Sequence, residues 1–132
     1  MGLDMYGYTM KAEFVGDRQT DVNVSEDERE EAALNHFAYW RKFNHLHGWM
    51  ENLYRQKGGK AEVFNCCTVR LELEDLDRLE SDLNEEKLEY TPGFFFGDDE
   101  IYPEDITETK NFIANARLAI ATGQVVFYDS WW

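Results

Sequence analysis

Tyr39, Phe43, Leu46, Met50 and Leu53 recur at steps of four, three, four and three, the apolar stripe of a helix lying on a core. A strand would throw such residues to alternate faces, so the spacing commits this part of the chain to helical geometry. Upstream, Ser25-Glu26-Asp27-Glu28 fits a capping box: Ser25 bonds the third helical amide, Glu28 reaches back, and the acids favour the positive helix start. Gly58-Gly59 supplies a stop. The pattern predicts one long helix over residues 25–58.

The flanking segments read as follows. Residues 2–14 place Tyr6, Tyr8, Met10, Ala12 and Phe14 on one parity, which predicts a strand, with a polar loop over 17–23. Residues 61–71, with Val63, Phe64, Cys66, Thr68, Val69 and Leu71, predict a strand buried on both faces. Leu73, Leu76, Leu79 and Leu83 return to helical spacing among acidic residues. An apolar run at 88–97 around Phe94-Phe95-Phe96 predicts a third strand. Pro103 opens a helix whose inner stripe is Ile106, Ile113, Ala116 and Ile120; Thr122-Gly123 ends it, and residues 124–132 form a last strand. The resulting order, β-α-β-α-β-α-β, predicts an α+β fold in a single domain spanning 1–132, with about four strands and three helices packed on one sheet. With 132 residues and 43% apolar side chains the chain can bury one core.

Charge is distributed unevenly. Residues 32–60 hold all three histidines, two of the four tryptophans and five Lys/Arg against one acid, Glu51, for a formal charge of +4, leaving −18 for the rest of a chain of net charge −14. An acidic surface repels polyphosphate backbones, which argues against DNA or RNA as a partner, while a local basic patch can still hold a small anion. No apolar run is long enough to span a bilayer and no signal segment opens the chain, so a soluble cytoplasmic protein with no membrane partner is expected. Adjacent Cys66 and Cys67 suit reduced, apolar packing in a strand better than a disulfide or a metal.

The expected site lies on the basic stretch. On a helix, Trp40, Asn44 and His47 share a stripe with Arg41 close by, giving a stacking face, an amide, an imidazole and a forked cation, the inventory for a nucleotide-like anion. Phe95 is a candidate stacking platform for a base. The alternative is that Trp40 and Trp49 are core and the polar residues are solvated or paired with acids. His45 and His47 point about 200° apart on a helix, and His36 lies roughly 16 Å from His47 along the axis, so no metal is expected there. Asp98-Asp99-Glu100 and Glu104-Asp105 lack calcium-loop spacing and read as helix-start acids. No cofactor is expected.

Three stretches, Met1-Gly2-Leu3-Asp4-Met5-Tyr6, Tyr39-Trp40-Arg41-Lys42-Phe43-Asn44 with His47 and Trp49, and Gly93-Phe94-Phe95-Phe96-Gly97, resemble a family of small uncharacterised bacteriophage proteins, some of which carry the label phosphoglycerate kinase. The resemblance implies a viral origin. The kinase label does not transfer, because phosphoryl transfer needs a nucleotide site and a second substrate domain for which this chain has no room.

Two functions are therefore weighed. One is a non-catalytic viral accessory protein of the anti-defence type that sequesters a small anionic, nucleotide-like host ligand at Trp40, Arg41, Asn44, His47 and Phe95. The other is an inhibitor whose acidic stretches, 26–31 and 72–89, mask a basic host protein. A third reading, a nucleotide-cleaving enzyme, would use His45 or His47 as acid or base. The double-tryptophan terminus suggests packing on the body or on another copy in a homo-oligomer.

Overall fold

A computed structural model describes residues 2–93 and 95–132. Its elements are β1 (Asp4–Lys11), a short 3-10 turn, α1 (Glu26–Arg29), β2 (Asn35–Arg41), α2 (Asn44–Gln56), β3 (Val69–Leu71), α3 (Leu73–Asn84), α4 (Pro103–Ala121) and β4 (Gln124–Trp131). The fold is α+β, a small single domain with a four-stranded antiparallel sheet in the order β2-β1-β4-β3 and four helices, three of them long.

The two sheet faces are covered differently. Leu3, Met5, Trp40, Val126 and Tyr128 face the helices, where Leu46, Met50, Leu53, Leu76, Leu79, Phe112 and Ile113 complete the main core. Tyr8, Met10, Val125 and Phe127 face the other way, under Val15, Val22 and Ala32 of the irregular 12–34 segment. Tyr6, Tyr39 and Asp129 form one cross-strand row on that second face, and Asp4, Arg41 and Trp131 form another. Tyr39 stays 48% exposed and Trp131 70% exposed.

The expected helix over 25–58 divides in three. Its start is real: the Ser25 hydroxyl and backbone N–H both donate to the Glu28 carboxylate, at 2.9 and 3.4 Å. The helix lasts one turn, Ala33 turns into the left-handed region, and the chain enters β2. Residues 38–41 also fit a period of two, with Ala38 and Trp40 buried and Tyr39 and Arg41 exposed, and pairing with β1 decides between the patterns. Local spacing carries no information about that distant partner. Lys42, again left-handed, then lets the backbone turn into α2, where Phe43, Leu46, Met50 and Leu53 do form the predicted buried stripe.

Two predicted strands shrink or vanish. Of residues 61–71 only Val69–Leu71 pairs, because Phe64 drops into the core against Tyr54 and Tyr128 while Cys66 takes a left-handed conformation. Residues 88–93 and 95–97 contain no strand; Phe94 of the predicted run lies outside the described residues. Phe96 instead plugs the core edge-on to Trp132 at 4.9 Å, and a Cβ on Gly93 would fall 2.4 Å from its ring. Trp132 thus packs on the body, tied by a 3.0 Å bond from its indole N–H to the Phe64 carbonyl. β1, α3, α4 and β4 form where the sequence pattern places them, although among the described residues no strand lies between α3 and α4. Among the described residues, no helix is long and apolar enough to cross a membrane.

Candidate functional site

The five residues expected to line one pocket do not converge. Trp40, 2% exposed on β2, points into the helix layer, where its indole N–H donates to Thr109 Oγ1 at 3.0 Å and its ring meets Phe112 edge-on at 5.2 Å. Arg41, its neighbour on a strand, faces the opposite side and donates to Asp4 Oδ1 at 2.7 Å. The Tyr39 hydroxyl donates to the same oxygen at 2.6 Å, and this bond together with Arg41 holds the Asp4 carboxyl below its ordinary range. Asn44 is a clamp: its amide donates to the carbonyls of Phe96 and Asp98 at 3.0 and 2.8 Å and accepts from the Thr91 N–H at 3.0 Å, fixing the 91–98 segment to the start of α2.

His47, 1% exposed, lies 2.7 Å from the Tyr128 hydroxyl through Nδ1 and packs between the rings of Phe64 and Phe96, each 5.0 Å away. Burial pushes its pKa down to about 4 and that of Tyr128 well up, so the bond joins a neutral imidazole to a neutral phenol. Phe95 is half-buried at the edge of the main core, and its carbonyl accepts from the Leu3 N–H at 3.1 Å. Strand geometry explains the separation: adjacent residues of β2 project to opposite faces, and the turn at Lys42 breaks any common stripe with α2.

A different concavity opens between α2, α3 and residues 87–91. It encloses about 300 Å³, with His45, Trp49 and Asn52 from α2, Arg78 and Asp82 from α3, and Lys87 and Tyr90 along its rim. Positions 45, 48, 49 and 52 share one face of α2 and span roughly 10 Å along its axis. Gly48 lets the irregular segment close against the helix, since a Cβ there would fall 1.9 Å from Thr91 Oγ1. The Trp49 indole N–H donates to Asp82 at 2.9 Å, which sets the ring, and the Arg78 guanidinium lies over that ring, 5.7 Å from its centroid. Arg78 also stands 3.5 Å from Asp75, and Lys87 3.1 Å from Glu85.

His45 forms one end of this cleft, with its ring 6.0 Å from that of Tyr90. It is 4% exposed; Nε2 lies 3.1 Å from the Asp99 carbonyl, and Nδ1, also buried, has no hydrogen-bond partner. Burial lowers its pKa, partly offset by the Asp99 bond. The predicted histidine geometry holds within α2, where 45 and 47 point to different environments. His36, on β2, faces Tyr6 and Tyr8 instead. Among the described residues no group of three or more His, Cys, Asp or Glu is arranged to hold a metal ion.

Trp49 belongs to the aromatic, basic stretch 32–60, whereas Arg78, Lys87 and Tyr90 lie outside it. Arg78 is the one basic residue in the acidic run 72–86, a signal that was legible, and Tyr90 sits in a segment read as a strand. No protein-family model, curated protein or solved structure matches this chain. The chemistry of the cleft therefore carries the functional reading.

Proposed function

We propose that this protein is a non-catalytic ligand-capture protein, of the viral accessory kind that the sequence resemblance implies, and that it sequesters a small anionic, nucleotide-like molecule in the cleft between α2, α3 and residues 87–91. The observation that carries this reading is one concavity lined by two cationic side chains, Arg78 and Lys87, and two aromatic rings, Trp49 and Tyr90. A guanidinium forks onto phosphate or carboxylate oxygens, an ammonium adds a point charge, and the rings offer a stacking surface. A volume of about 300 Å³ lies at the lower end of small-molecule sites. Asp82 and Glu89 balance the cations locally, so affinity comes from contact geometry and not from long-range attraction by a chain of net charge −14.

Isothermal calorimetry against mono-, di- and cyclic nucleotides tests the reading. Saturable binding that weakens in Arg78→Ala, with the nucleotide recovered unchanged, supports it; no heat at millimolar nucleotide ends it.

One observation favours the second reading, an acidic mask for a basic host protein: Glu26, Asp27, Glu28, Glu30 and Glu31 all lie exposed around the single turn of α1. A partner recovered by this surface would be released by salt and lost on charge reversal of α1.

A further inference from the structure

We infer that the ligand of this cleft presents an exocyclic amino N–H donor on its base, and that His45 Nδ1 is the acceptor that reads it. The inference rests on the ligand-capture reading above and specifies the chemistry of one end of the ligand.

The tautomer of His45 follows from its partner. A backbone carbonyl can only accept, so the ring nitrogen 3.1 Å from Asp99 O carries the proton and donates. In the neutral ring Nδ1 is then a bare lone pair. The pKa lowered by burial keeps the ring in that state at neutral pH. Buried acceptors are almost always satisfied, and one that the protein leaves alone takes its donor from a water or from a ligand that displaces it.

His47, two residues on, marks the contrast. Its Nδ1 sits in the core and is satisfied by the Tyr128 hydroxyl at 2.7 Å. The orphaned nitrogen belongs to the histidine that borders the cleft, and Asp99, which takes the other nitrogen, lies outside it. Tyr90, 48% exposed on an irregular segment and 6.0 Å from the imidazole, is the side chain whose movement admits the donor.

Adenosine 5′-monophosphate and purine riboside 5′-monophosphate differ in the exocyclic amino group, which only the first can offer to His45. Calorimetry on the intact protein is expected to give at least tenfold tighter binding of the adenosine nucleotide. In His45→Ala the two should fall within about twofold of each other, with circular dichroism checking that the variant folds. A readout independent of any variant is the ¹⁵N resonance of His45 Nδ1, which should move upfield on adding the adenosine nucleotide as its lone pair becomes hydrogen-bonded. Equal binding of both nucleotides, still sensitive to Arg78→Ala, overturns the inference and leaves the capture reading standing. Tight binding with an unmoved Nδ1 resonance does the same. Failure of these two nucleotides to bind overturns this inference, and failure of the di- and cyclic nucleotides as well removes the capture reading.

Discussion

His45 and His47 occupy the same helix, are nearly equally buried, and both have lowered pKa values, yet they belong to different regions. Around His47 every polar contact described closes inward: the Tyr128 hydroxyl is hydrogen-bonded to it, and Phe64 and Phe96 flank it. Around His45 one nitrogen is bound and the other waits beside a cleft. Burial and a lowered pKa are common to both and therefore do not tell the two environments apart. What differs is the partner that the fold supplies: Nδ1 of His47 has one in Tyr128, and Nδ1 of His45, on a residue that lines the cleft, has none in the protein.

The contrast can be broken from the core side first. Trp40→Ala removes a buried indole and its bond to Thr109, whose hydroxyl keeps the Asp105 carbonyl, and it should lower unfolding free energy by about 3–5 kcal/mol in urea titrations, with the cleft reached only through global destabilisation. If Trp40 instead contributes directly to binding, conditions where the variant is fully folded would still show lost affinity.

Asp129 sharpens the point that a buried polar group can also be plain strain. Burial pushes its carboxyl up to about 6 from 3.8, and its Oδ1 has no partner. A carboxyl with a raised folded-state pKa stabilises most below its unfolded value and loses that contribution as pH rises through about 6. Asp129→Asn should thus gain up to about 3 kcal/mol at pH 7.5 and almost nothing at pH 4. His47 works in the opposite sense: its pKa falls from 6.5 to about 4, so its contribution is present above pH 6.5 and is lost as the pH drops towards 4. The two slopes oppose one another between pH 4 and 6, and Asp129→Asn should expose a steeper acid destabilisation when melts are compared across that range.

On the cleft side, Arg78→Ala should weaken nucleotide binding about tenfold in calorimetry, the loss expected for a charge-assisted hydrogen bond, with the melting temperature little changed. Arg41→Ala is the smallest effect. The Asp4 pair is a surface contact, so neither melting temperature nor nucleotide affinity should move measurably. A loss of affinity in Arg41→Ala would return the binding surface to the open sheet face.

Much of the fold was legible in the chain. The alternation in β1, the leucines of α3, Pro103 at the start of α4 and Gly123 beyond its end all lie where their local chemistry places them. Of the predicted helical stripe, Leu46, Met50 and Leu53 are buried on α2 with Phe43 at its cap, while Tyr39 lies exposed on β2. The site was legible only in part: Trp49 and His45 fall in the stretch marked by its basic and aromatic composition, whereas Arg78, Lys87 and Tyr90 reach them across elements separated in sequence.

The sequence alone determined where periodic segments, caps and breakers lie, because these depend on neighbours within a few residues. Tertiary structure decided that residues 35–41 are a strand, since the β1 edge satisfies their backbone groups and no local pattern encodes that partner. It also decided which of two histidines keeps a bare nitrogen, because hydrogen-bond satisfaction is a property of packed neighbours and not of residue type.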